Sequence, residues 1–158
     1  MGKTNNLAVL RKNRMLASTD EARRFDAALA KLSEDPQSVD LPSLFRVFTD
    51  QCELHEVMWG LLHFVESFGM EKQLPGLIKA LPSMLKEAPE WAELFHFRIL
   101  NDDRYTDYYK TLVAALSDAE KAPVVEVLNR VRQKNAKFKS AASYVLSGSK
   151  KAPRHPGS

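Results

Sequence analysis

The stretch HEVMWGLLHFVESFG, residues 55–69, gathers two of the chain's four histidines, one of its two tryptophans and two glutamates. Those residue types invite metal ligation, acid–base catalysis or recognition of another polypeptide. A zinc site fails on spacing: HEVMW is not H-E-x-x-H, and on a helix His55 and His63 stand two turns apart, roughly 12 Å, too far to share one ion. Cys52 can reach His55 or Glu56, yet no second ligand cluster accompanies it, and a Cys52–His55 dyad lacks an orienting third group. Glu53, Glu56, His63 and Glu66 could move protons. No glycine-rich phosphate loop, acyl-transfer signature or second polar cluster converges with them. A non-enzymatic protein without cofactor, metal or catalytic residues is therefore expected.

The same side chains have a structural reading. On a 3.6-residue turn His55, Trp59, Leu62, His63 and Glu66 share one face, while Val57, Gly60, Leu61, Phe64, Val65 and Phe68 spread over much of the remainder. A helix apolar nearly all round is expected to be central. Its histidine would then be buried and bonded to a carboxylate or carbonyl, so that His63 fixes how the helix sits.

The elements that position this helix read as helices too, because apolar residues recur three and four apart and alternating β-branched runs are absent. Ser18 followed by Glu21 spells a capping box for a helix whose stripe is Phe25, Leu29 and Leu32, ending near SEDPQ. A short helix covers LPSLFRVFTD, with Pro42 in its first turn. The helix of residues 55–69 begins near Cys52 and closes at Gly69. Pro75 and Pro82 predict two shorter helices or one kinked helix after it. Pro89 and Glu90 open a helix to about Leu100, and Asn101 or Asp102 caps the next. Ser117 and Glu120 repeat the capping-box spacing before the stripe Val124, Val127, Leu128 and Val131, and SAASYVLSG makes a last short helix. The expected fold is all-α, with about seven or eight helices packed as antiparallel hairpins, HEAT-like or α-solenoid in style.

Composition agrees with one globular domain: 158 residues, 44% hydrophobic and 27% charged, suffice for a real core. That domain is expected over residues 18–146, between a basic, partly flexible segment 1–17 and a disordered basic tail 147–158. A single cysteine excludes an internal disulfide, and no apolar run reaches the roughly 20 residues of a membrane span, so a cytoplasmic protein is expected. The charge is divided unevenly. All 20 acidic residues lie between Asp20 and Glu126 against 11 basic ones there, a net of −9, while residues 1–19 carry +4 and residues 127–158 carry +8. An acidic body suits a basic protein partner, and basic ends suit a polyanion.

The segment HEVMWGLLHFVESFG, preceded by the acidic TDQCEL, resembles the signature region of the immunity protein 30 family. The likeness covers about residues 20–115 and is carried by Glu56, Val57, Trp59, His63 and Glu66, with His55 in the same motif. The family is encoded beside polymorphic toxins of bacterial contact-dependent and type VI secretion systems. The resemblance implies an inhibitor that binds the toxin domain of its own effector.

Independently of that resemblance, an acidic body is steered into the basic cleft of a toxin that attacks nucleic acid or a phosphorylated cofactor. Partly exposed aromatics flanked by acids are the anchors such an interface needs. They point to Glu53, Glu56 and Trp59, to Glu90, Trp91 and Glu93, and above all to NDDRYTDYY with Asp102, Asp103, Tyr105, Asp107, Tyr108 and Tyr109. Trp91 also suits packing in its own helix, and two of the three tyrosines suit the core. A rival reading is a nucleic-acid or polyanion-binding adaptor: Arg130, Lys134 and Lys137 line one strip and Phe138 could stack on a base. It ranks behind a protein partner, since no nucleic-acid reading motif accompanies the charges and cations near a helix C-terminus serve the dipole anyway. A generic protein-interaction scaffold is the remaining alternative.

Overall fold

A computed structural model describes residues 5–147, and among these the fold is all-α. Nine α-helices follow in order: α1 (Asn6–Lys12), α2 (Thr19–Glu34), α3 (Leu41–Phe45), α4 (His55–Glu66), α5 (Met70–Glu87), α6 (Pro89–Leu100), α7 (Asp103–Ala114), α8 (Asp118–Lys134) and α9 (Lys139–Leu146). Single 3-10 turns at Pro36–Ser38 and Ala136–Phe138 join α2 to α3 and α8 to α9. No described helix is long and apolar enough to cross a membrane. The charges of Lys3, Lys150, Lys151 and Arg154, and residues 148–158 of the disordered tail expected over 147–158, lie outside the described residues.

Local chemistry sets the helix starts. Ser18 accepts from the Glu21 amide at 3.1 Å while the Glu21 carboxylate reaches back to the Ala17 amide at 2.9 Å. Ser117 and Glu120 form the complete reciprocal box, and the Ser117 bonds hold the Glu120 carboxyl below its usual range. Asp102 rather than Asn101 caps α7, accepting from the amides of Arg104 and Tyr105. Two departures have plain causes. Helix α1 lacks an amphipathic stripe long enough to announce it, and forms behind the Asn5 side chain, which accepts from the Ala8 amide. Helix α5 runs unbroken through Pro75 and Pro82, because its apolar side is held down along its length by Leu74, Leu77, Ala80, Leu81 and Met84, all buried. Each proline omits one backbone bond, and packing outweighs that loss.

The chain divides into two compact units between Trp91 and Ala92. In the first, α1 lies on α2, α3 lies on α5, and α4 meets α2, α3 and α5. A Cβ at Gly76 would come 2.9 Å from the Leu41 Cβ, so the α3–α5 approach demands glycine. Gly69 takes φ +86° between α4 and α5; its N–H donates to Glu66 and its carbonyl receives Gln73. In the second unit α9 packs on α7 and α8 around Tyr109, Val113, Val127, Leu128 and Val145.

That second core holds a polar pair. His96 is fully buried, with Nδ1 2.7 Å from the Ala92 carbonyl and Nε2 2.5 Å from the Tyr109 hydroxyl. A carbonyl only accepts, so Nδ1 carries the proton and Nε2 receives the tyrosine O–H. Burial pushes the imidazole down to about 4 and the Tyr109 phenol far up.

A lowered histidine pKa makes a signed prediction. Unfolded His96 takes a proton near pH 6.5 and the folded one does not until about pH 4, so its contribution is complete above pH 6.5 and is lost as pH falls through that window. Urea titrations are expected to lose about 3 kcal/mol from this group between pH 7 and pH 4. His96→Gln, which keeps a partner for Tyr109 without a titrating ring, should flatten that part of the slope.

Candidate functional site

The stretch that carries the sequence's chemistry sits at one end of the first unit, where a turn at residues 49–51 is tied to the chain around residue 90. Asp50 is the centre of the tie. Its N–H donates to the Glu87 carbonyl at 3.1 Å, and its two carboxylate oxygens accept from the Glu90 and Trp91 amides at 2.9 and 3.3 Å. A carboxylate on the first amides of α6 is an N-cap supplied from 40 residues away. The Trp91 indole N–H donates to the Thr49 carbonyl at 3.1 Å, and Trp91 packs on Phe48 with ring centroids 5.3 Å apart.

On this floor stands the outer face of α4. The His55 ring stacks on Trp91 at 6.2 Å, and Trp59 meets Trp91 edge-on at 5.8 Å and His63 at 5.8 Å. Below them Met58, Leu61, Leu62 and Val65 are buried. Helix α4 is therefore two-faced, not apolar all round as expected. His55, Glu56, Gly60 and His63 are exposed, and Trp59 and Glu66 are half-buried. The buried, bonded histidine expected at position 63 is instead His96, and the expected grouping holds only in part: His55, Trp59, His63 and Glu66 share the outer face, but Leu62 is buried and Gly60 is exposed, because neighbouring helices decide which positions turn inward.

A second brace joins the same end. Arg14 pairs with Glu87, whose carboxyl it holds below the ordinary range, and also donates to the Arg46 carbonyl at 3.1 Å. Arg11 donates to the same carbonyl at 2.8 Å. The Glu53 amide donates to the Met15 carbonyl at 2.9 Å, which brings the α1–α2 turn against the start of α4. This contact, and the Asp50 cap, left no sequence signal that separations of about 40 residues would reveal. Cys52 is buried here, and burial raises its thiol. Among the described residues no three His, Cys, Asp or Glu side chains converge as metal ligands.

The remaining expected contacts separate into exposed and engaged groups. Glu53, Glu56 and Glu90 are exposed. Trp91 and Glu93 are both buried: Trp91 packs, as its alternative reading had it, with its indole bonded to Thr49, and Glu93 is a correction, its carboxylate enclosed by Arg130 at 3.3 Å and Lys134 at 2.6 Å. In the second unit Asp102 and Asp103 are exposed, Asp102 occupied as the α7 cap, and Tyr105 and Tyr108 are half-buried. One tyrosine of the three, Tyr109, is fully buried, where two were expected. Asp107 accepts from the Tyr144 hydroxyl at 2.7 Å. The basic strip is engaged as well: Arg130 serves Glu93 and Glu126, Lys134 serves Glu93, and the Lys137 ammonium stands 5.4 Å over the Phe138 ring.

A family model described as Immunity protein 30 matches residues 12–109, more than half of the chain. Comparison with curated proteins and with solved structures returned no match.

The Asp50 cap predicts a measurable cost. Asp50→Ala should lower unfolding free energy by about 1–2 kcal/mol in denaturant titration, whereas Asp50→Asn, still a capping side chain, should recover most of it. His63→Ala, on the exposed face of α4, should stay within about 0.5 kcal/mol of the parent.

Proposed function

The chain belongs to the immunity protein 30 family, and on that premise we propose that it binds the toxin domain of a cognate bacterial effector and neutralises it without catalysis. Family membership supplies the general immunity role. The finer reading is supported by one observation above the others: the α4 face of the signature segment is solvent-facing, with Trp59 half-buried between His63 and Trp91 and with Glu53, Glu56 and Glu90 exposed around it. A rigid aromatic set amid carboxylates is what a basic protein surface recognises.

Charge supports the same reading. The exposed carboxylates Glu53, Glu56 and Glu90 steer this end of the first unit toward a positive cleft before any contact forms. In the second unit, taken by itself, Asp103, Tyr105 and Tyr108 are a separate candidate contact set, while Asp102, Asp107 and Glu93 have duties inside the fold. Contact-dependent or type VI delivery of the toxin, and action in the cytoplasm, complete the proposal.

The probe is the C-terminal domain of the polypeptide encoded immediately upstream. Co-expression should rescue growth, and the pair should copurify. Reversing Glu53 and Glu56 to lysine should slow association by about tenfold at low salt, with less effect as salt rises, and leave the melting temperature unchanged. Growth arrest despite co-expression of the parent protein would refute the reading.

A further inference from the structure

Among the described residues three large hydrophobic side chains stay exposed: Met15 at 43%, Leu54 at 36% and Tyr144 at 44%. Tyr144 is accounted for, since its hydroxyl donates to Asp107 and the Lys110 ammonium stands 4.5 Å over its ring. Met15 and Leu54 are apolar throughout. Their segments meet, because the Met15 carbonyl receives the N–H of Glu53, the residue before Leu54.

The backbone at this corner is held under strain. Leu16 takes φ +50°, the one non-glycine residue with positive φ among those described. For a leucine that conformation costs about 1–2 kcal/mol. Its side chain is wholly buried, which holds the corner in place, while Met15 beside it remains outside. Both flanks are clamped. Arg14 is bound to Glu87 and to the Arg46 carbonyl, and buried Asn13 donates to the Val9 carbonyl and accepts from Arg24. A left-handed turn that sends one apolar residue in and keeps its neighbour out, braced on both sides, presents a preorganised knob.

We infer that Met15 and Leu54 form the apolar centre of the docking surface and insert into an apolar depression on the toxin domain rimmed by lysine and arginine. This rests on the immunity reading and names the contact that would carry its affinity. The occupant follows from the setting. Glu53 and Glu56, both exposed, flank Leu54 in the chain and ask for a cationic rim. A second copy of this chain is the competing occupant, since exposed Arg11 and Lys12 precede Met15 and would face Glu53 and Glu56 across a two-fold axis, and sedimentation decides between the two. Met15 and Leu54 lie outside the aromatic set, so their loss is separable from any change in the Trp59–Trp91 packing.

The test measures affinity for the upstream-encoded C-terminal domain with the full chain and with Met15→Ser, Leu54→Ser, their double variant, and the exchange Met15→Leu with Leu54→Met. The serine double should weaken binding by about thirtyfold or more and the exchange by about threefold at most, and neither should melt below the parent, because Leu54→Ser places a capping hydroxyl at the N-cap of α4. Binding by the parent with an undiminished serine double overturns this inference and leaves the immunity reading standing. No binding by the parent overturns both. Sedimentation supplies the last arm: a parent dimer that the serine double dissolves would assign the knob to self-association and overturn the proposal.

Discussion

The organisation of the first unit turns on one carboxylate. Asp50 caps α6 from a turn that precedes α4, so the same side chain holds the floor under Trp91 on which the outer face of α4 rests. The geometry of the exposed face follows. With Trp91 anchored to Thr49, the rings of His55 and Trp59 have a rigid surface to lean on, and their positions cost little further entropy. An interface assembled in advance loses less on binding than one ordered by its partner.

The second unit spends its polar residues differently. His96 and Tyr109 satisfy each other in a dry core, and Glu93 draws Arg130 and Lys134 onto its carboxylate. The pairing with Glu126 and Glu93 raises the Arg130 pKa and commits its charge to the fold. The basic strip that sequence alone offers to a polyanion is thus partly internal structure. A charged residue earns a place in a binding hypothesis only after its neighbours have been counted.

Much of the helical architecture was legible because it is local. Capping hydroxyls at Ser18 and Ser117, the carboxylate at Asp102 and the periodic stripes of α2 and α8 lie within a few residues of what they stabilise. The interruptions were less legible. Pro75 and Pro82 argue for a break on local grounds, and only the burial of the side chains around them keeps α5 whole. Helix α1 is seven residues long, too short for periodicity to speak. In the candidate site, the family motif and its acids could be found, but the exposed pair Met15 and Leu54 could not, since 39 positions of sequence separate them and the backbone bond that brings their segments together runs from the Glu53 amide to the Met15 carbonyl.

By itself the amino-acid order determined an all-α chain, its principal caps, its segregation of charge and its kinship, all of which are readable from spacing and composition. Tertiary structure alone decided which face of α4 meets water, that His96 and not His63 is the buried imidazole, and that Glu93 is a core partner of two cations. Periodicity groups side chains onto a face but carries no information about what lies opposite that face. Burial belongs to the neighbouring elements, and these are brought together by contacts across tens of residues.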